Sequence, residues 1–254
     1  MRKLLLGIVL SLGLVAWANA QVNDVVILDR LFNDDSDSIS SHIKALPAVL
    51  LTDNKVDGDG SAPEFANRHA WFASYDGVNV AKLPLGTAGW TASFDLTLIG
   101  SPVAPRKEAG FLLRIEMPWG YSEGQFIVNT DAGEVVAFGW PFPFYSFNAQ
   151  HGLSYTSGQT LHMGVKLYRD PTDNMVKVVY HAGGYSSPAL ALDFQDGLGN
   201  WISLGGYLQV QIAPNNPGNA GAALFNNIYV VPEPASVAVL GLGVAALVLR
   251  RRKR

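Results

Sequence analysis

Between Arg114 and Gln211, side chains that donate and accept hydrogen bonds recur at alternate positions, opposite apolar neighbours. Arg114 and Glu116 alternate with Leu113, Ile115 and Met117; His162, Lys166 and Tyr168 with Leu161, Met163, Val165 and Leu167; Tyr207, Gln209 and Gln211 with Leu208, Val210 and Ile212. A period of two collects such groups on one face of a strand. If the strands lie side by side, these residues join Gln125, Asn129 and Lys177 in one polar surface of amide, guanidinium and phenol groups. That is chemistry suited to sugar hydroxyls. The plainer reading is a solvated sheet face, which antiparallel sheets commonly have. A second candidate is Trp140-Pro141-Phe142-Pro143-Phe144-Tyr145-Ser146-Phe147, where five of eight residues are aromatic. Its prolines exclude a helix or a central strand. Trp140, Phe142, Phe144 and Tyr145 then either stack on pyranose rings or a partner protein, or fold back to plug the end of the domain.

Residues 53–64 resemble an EF-hand calcium loop. With Gly58 sixth, Asp53 stands first, Asp57 fifth and Glu64 twelfth, and Asp59 lends its backbone carbonyl at the seventh position. Lys55, however, puts a cation at the third position, and a solvated Asp-Gly turn accounts for the same residues. Calcium at Asp53, Asp57, Asp59 and Glu64 is therefore the one metal with candidate ligands, and no cofactor is expected. The five histidines show no ligand spacing, and zero cysteines remove thiol catalysis and thiolate metal sites. No Gly-x-Ser-x-Gly, His-Glu-x-x-His or phosphate-cradling glycine loop occurs.

The elements that must position these groups are strands. Phe94, Leu96 and Leu98 share a face, as do Phe111, Leu113, Ile115 and Met117, and Val176, Val178 and Tyr180. Turn chemistry separates the runs, at Asp76-Gly77, Asp131-Ala132-Gly133, Asp170 to Asn174, Gly183-Gly184 and Asn215 to Gly218. No apolar run of helix length lies between them, so the pattern predicts an all-β antiparallel β-sandwich, clearest over residues 70–230. Residues 21–70 are less legible. Val25 to Leu28 reads as a strand, while Ile39, Ile43, Leu46 and Leu50 have helical spacing that Pro47 interrupts.

The two ends are of another kind. Arg2-Lys3, an apolar stretch from Leu4 to Val15 and the small-x-small site Ala18-Asn19-Ala20 before Gln21 read as a secretory signal peptide over 1–20, removed by signal peptidase. At the other end, Pro232-Glu233-Pro234 precede the apolar run 235–249 and five consecutive cations, Arg250 to Arg254. The run predicts a transmembrane helix whose basic end stays cytoplasmic. The exported body is then residues 21–231. Of 18 Lys and Arg, 11 fall in it, against 20 of the 21 Asp and Glu, a net charge of −9 where the whole chain has −3. Such a balance tells against nucleic acid as a partner.

The tail, residues 232–254, resembles the PEP-CTERM sorting signal of Gram-negative bacteria, with Pro232, Glu233 and Pro234 intact. The resemblance implies that the chain is a substrate of exosortase, a membrane protease-transpeptidase. Its ectodomain would be held in the periplasm at the inner membrane, then passed to the cell surface or extracellular matrix. The order of strands resembles a concanavalin A-like or laminin-G-like jelly roll, on Gly89 to Asp95, Ala109 to Arg114 and Ala223 to Ile228. That resemblance implies sugar or adhesion functions. Glucanases of this class carry closely spaced acids on one strand, and hydrolysis needs two carboxyls ~5–9 Å apart. Here the equivalent strand offers only Glu116, so the sequence predicts no enzyme. The expected function is a sorted surface or matrix protein that binds polysaccharide, or a purely structural one without a small ligand. The candidate glycan-binding residues are Trp140, Phe142, Phe144, Tyr145, Arg114, Glu116, His162, Tyr168, Gln209 and Gln211.

Overall fold

A computed structural model describes residues 22–28, 38–55, 66–86, 89–193, 198–211 and 219–232. In chain order the strands are β1 (Asp24–Leu28), β2 (Ser38–Ala45), β3 (Ala48–Lys55), β4 (Ala66–Ser74), β5 (Leu83–Pro84), β6 (Trp90–Gly100), β7 (Lys107–Met117) and β8 (Gly120–Asn129). They continue with β9 (Val135–Phe138), β10 (Tyr145–Ser146), β11 (Thr160–Arg169), β12 (Val176–Ala182), β13 (Tyr185–Ser186), β14 (Leu190–Ala191), β15 (Trp201–Gln211) and β16 (Asn219–Pro232). One helical turn, α1 (Phe147–His151), lies between β10 and β11. The segment read as a signal peptide, with Ala18, Ala20 and Gln21, the tail residues Glu233 and Pro234, and the run 235–249 fall outside the described residues. Among the described residues no helix is long and apolar enough to cross a membrane.

The strands form two antiparallel sheets. Sheet A runs β1-β4-β15-β7-β8-β9-β10, with β5 on β15; sheet B runs β13-β12-β11-β6-β16-β3-β2, with β14 on β12. At the centre of each sheet the neighbours are distant in sequence, β4-β15-β7 in one and β11-β6-β16-β3 in the other, as in a jelly roll. The expected all-β antiparallel sandwich is what the chain forms. The residues read as apolar faces, Phe94, Leu96, Leu98, Phe111, Leu113, Ile115, Val176, Val178 and Tyr180, are all buried between the sheets. Burying side chains of this size stabilises by ~1.5–3 kcal/mol each. An aromatic cluster bridges the sheets, with Phe94 stacked on Phe111 at 4.1 Å and Trp71 edge-on to Phe94 at 5.9 Å and to Phe225 at 5.6 Å. Gly206 makes room for it, since a Cβ there would meet the Trp71 indole at 2.6 Å and the Phe225 ring at 2.7 Å.

Two local expectations change. The helical spacing of Ile39, Ile43 and Leu46 belongs to a hairpin, β2 and β3 joined at Leu46-Pro47. Residues four apart share parity on a strand as well as a helix face, and β2 is an edge strand whose outer side chains, Ile39 and Ile43, stay exposed. The aromatic segment, read as helix-free, ends in α1, where Ser146 Oγ caps the amide of Ala149 and Gly152 closes the turn at φ 66°.

Candidate functional site

The residues proposed to share one surface divide between two. Arg114, Glu116, Gln125, Tyr207, Gln209 and Gln211 project from the outer face of sheet A, whereas His162, Lys166, Tyr168 and Lys177 project from the outer face of sheet B. A sandwich has two outward faces, and period two alone does not say which one a strand joins. On sheet B, Asp95 accepts from His162 Nδ1 at 2.7 Å and from Asn227 Nδ2 at 2.7 Å. The Asn227 amide and the imidazole hold the Asp95 carboxyl below its ordinary value. Lys166 lies 5.5 Å from the Tyr168 ring.

The sheet A face is not the simple solvated surface that the alternation suggests. Ala70, Phe72, Leu112, Ile127 and Tyr207 are fully buried although they point away from the main core. Charged groups lie across this second apolar layer. The Arg114 guanidinium sits 4.4 Å from the Phe72 ring and 4.6 Å from the Tyr121 ring, and its Nε donates to Glu123 Oε1 at 2.7 Å. Arg68 donates to Glu123 Oε2 at 3.0 Å and to Gln209 Oε1 at 3.1 Å, and lies 5.1 Å from the Tyr207 ring. Glu123 thus ties two arginines, each with its guanidinium over an aromatic ring. Beneath them the Tyr207 hydroxyl is 2.9 Å from Glu108 Oε1 and 3.1 Å from Gln125 Oε1. Burial pushes the Glu108 carboxyl up, outweighing the Tyr207 hydrogen bond and the nearby Arg106 and Arg68 charges. Burial, followed by the Glu108 charge, pushes the Tyr207 phenol up as well.

One end of this face is open. A cleft of about 210 Å³ is lined by Lys82, Arg114, Glu116, Gly120, Tyr121 and Trp201, among others. Lys82 Nζ approaches Glu116 Oε1 at 3.9 Å, with both side chains largely exposed. Beside the cleft, in the two-residue turn that opens β8, Trp119 stacks on Trp140, their centroids 5.8 Å apart and the rings 19° from parallel. Trp119, Tyr121, Trp140 and Trp201 are 62%, 57%, 46% and 40% exposed, four large aromatic surfaces at one sheet end.

The aromatic segment is therefore split in use. Phe142 turns into the core over Gly124, where a Cβ would come within 2.2 Å of its ring, and Phe147 is buried against Phe126. Tyr145 is half-buried, its hydroxyl 2.9 Å from His151 Nε2. Trp140 and Phe144 stay outside. Of the sequence candidates, Arg114 and Glu116 line the cleft at the open end of sheet A, Trp140 stacks on Trp119 of the turn after β7, Gln209 is buried under Arg68 and Gln211 lies at the far end of the strand. Phe142, Phe144, Tyr145, His162 and Tyr168 do not join them. Sequence reasoning missed Arg68, Lys82, Trp119, Tyr121, Glu123 and Trp201. Tyr121 and Glu123 share the parity of Gln125, the one signal that could have found them.

Of the four calcium candidates only Asp53 lies among the described residues. Asp53 lies in β3 and is buried, with its Oδ2 2.9 Å from His69 Nε2, so only Oδ1 remains for another partner. Asp57, Asp59 and Glu64 fall outside the described residues. Among the described residues no three His, Asp or Glu side chains are grouped to hold a metal ion.

The two-sheet antiparallel sandwich is similar in fold to solved structures that include alginate lyases and lectins. The chain carries a PEP-CTERM protein-sorting motif at residues 230–253, which implies export and sorting by exosortase. No curated protein matches the chain. Among solved structures, an alginate lyase of polysaccharide lyase family 7 aligns at TM-score 0.52 and 12% identity, over 80% of this chain and 85% of that one. The carbohydrate recognition domain of Emp46p aligns at TM-score 0.47 and 7% identity, over 84% and 96%, and lectin UEA-II in complex with galactose at 0.42 and 12%, over 82% and 98%. The lyase match corrects the prediction of no enzyme. The missing carboxylate pair speaks only against glycoside hydrolysis, whereas this sandwich also houses lyases, so neither the fold nor the lack of paired acids excludes catalysis.

Proposed function

We propose that this protein is an exosortase-sorted component of the cell surface or extracellular matrix whose sandwich binds polysaccharide at the open end of sheet A. The observation that carries the reading is a cleft lined by Tyr121, Trp201, Arg114 and Glu116, with the exposed Trp119–Trp140 stack starting one residue before its Gly120 wall. Indole and phenol rings offer flat apolar surfaces to the C–H faces of pyranoses. The guanidinium, carboxylate and ammonium groups beside them match ring hydroxyls or carboxylates. The face is rigid before any ligand arrives, because Glu123 fixes both arginines and Phe72 and Tyr207 support them from below. Pre-organisation of this kind lowers the entropic cost of binding.

The test is a glycan array probed with residues 21–231, followed by titration of each polysaccharide retained. Binding that falls at least about ten-fold in Trp140→Ala and in Tyr121→Ala, with melting unchanged, supports the reading. A blank array, or binding indifferent to both substitutions, overturns it. The same incubations read polymer length, and shortening that stops in Arg114→Ala assigns the cleft to catalysis.

A further inference from the structure

The sorting motif and the folded domain use the same residues. The motif spans 230–253, while β16 runs through Pro232, so Val230, Val231 and Pro232 belong to both. In the sandwich they pair with Ala92, Thr91 and Trp90 of β6. Val230 is buried, and its carbonyl accepts from the amide of Val22 at 3.3 Å. The partner strand is firmly anchored, since the Trp90 ring is buried and its Nε1 donates to the Pro84 carbonyl at 3.0 Å. No spacer separates the last ladder pair from Glu233.

This end of β16 is also its least secured part. β3 pairs only with Asn219 to Phe225, and the register with β6 shifts between Asn226 and Tyr229. Beyond that irregularity the strand has a continuous ladder on one side alone. Strand ends of this kind open locally at far less cost than global unfolding.

We infer that recognition by the sorting enzyme competes with the pairing of residues 230–232 to β6, so that opening of the β16 end sets the rate at which the folded protein is processed. An enzyme that reads the motif must grip its backbone and the Pro232 ring, and the ladder already occupies that backbone. Freeing three residues extends the reach of the motif by roughly 10 Å. When only a fraction of molecules is open, the apparent affinity of the enzyme falls by that fraction. A closed sandwich therefore delays its own release from the anchored form, and loosening the strand end hastens it. The inference rests on the sorting motif and the strand, not on the polysaccharide reading, and stands or falls apart from it.

The experiment follows the full chain by pulse-chase in a host that carries the sorting enzyme, reading conversion of the anchored form to the shorter one. One variant places a Gly/Ser linker of about twelve residues, followed by a second copy of residues 230–232, after Pro232. The sandwich then keeps its strand while the motif has its own three residues. Conversion at least about five-fold faster than in the natural chain is expected. Tyr229→Pro lies outside the motif and removes a ladder donor; with an unchanged sandwich by proteolysis, it should accelerate conversion to a smaller degree. Equal rates for the natural chain and the linker variant overturn the inference. So does conversion that is complete before the ectodomain becomes protease-resistant, which would mean that the enzyme meets the motif unfolded.

Discussion

Trp119 and Trp140 lie nearly parallel, centroids 5.8 Å apart, yet each leaves much of its ring in solvent. Trp119 comes from the tight turn between β7 and β8 and Trp140 from the segment after β9. Gly139 permits the approach, since a Cβ there would come within 2.6 Å of the Glu123 carbonyl. Because both rings are exposed, their removal should affect binding more than folding. Trp119→Ala and Trp140→Ala are each expected to lower stability by less than about 1 kcal/mol. A double-mutant cycle in urea should show a coupling of about 0.5 kcal/mol, the low end of the range for stacked aromatic pairs.

Arg114 holds the apolar layer of sheet A under cover. Its guanidinium lies on Phe72 and Tyr121 while bonded to Glu123. Arg114→Ala exposes Phe72 and leaves Glu123 to Arg68 alone, which should cost roughly 1–3 kcal/mol in urea unfolding. Arg114→Lys should recover little of that loss, because an ammonium neither stacks flat nor presents a planar fork.

Asp53 and His69 are sealed between the sheets, 2.9 Å apart. Asp53→Ala is expected to destabilise by about 1–3 kcal/mol, since it removes the buried acceptor facing the His69 imidazole. Replacing both, as Asp53→Leu with His69→Leu, should restore much of the loss. Chemical denaturation of the three variants reads the difference directly.

Glu108 predicts a pH dependence of definite sign. Its folded carboxyl is raised above the ordinary 4.5 by burial, so the folded state holds this proton more tightly than the unfolded chain. The resulting stabilisation is complete below pH 4.5 and fades as pH climbs through the raised value. Glu108→Gln keeps an acceptor for the Tyr207 hydroxyl and removes the titration. Its melting temperature should therefore gain progressively on the natural protein as pH is raised from about 5 to 8. Melting scans of both proteins across that range check it, and a gap that widens toward acid would contradict the assignment.

Much of this architecture could be read along the chain. Alternation placed Phe94, Leu113, Val165 and Val210 in the core and Arg114, His162 and Gln209 opposite them, because the backbone pleat enforces that pattern within each strand. The hairpin at Leu46-Pro47 was obscured because Ile39 and Ile43 satisfy strand and helix spacing equally. Phe142 and Trp140 looked equivalent in composition, yet one packs over Gly124 and the other faces solvent.

What the sequence by itself determined is the strand-rich body, its inward residues, and the Pro-Glu-Pro signal ahead of an apolar, basic-ended tail, since these depend on local period and composition. Only the tertiary structure decided that Arg114 and His162 lie on opposite faces, that Arg68 and Glu123 meet, and that Trp119 finds Trp140. Those facts depend on which strands pair and in what register, and pairing joins residues whose separation along the chain leaves no local trace.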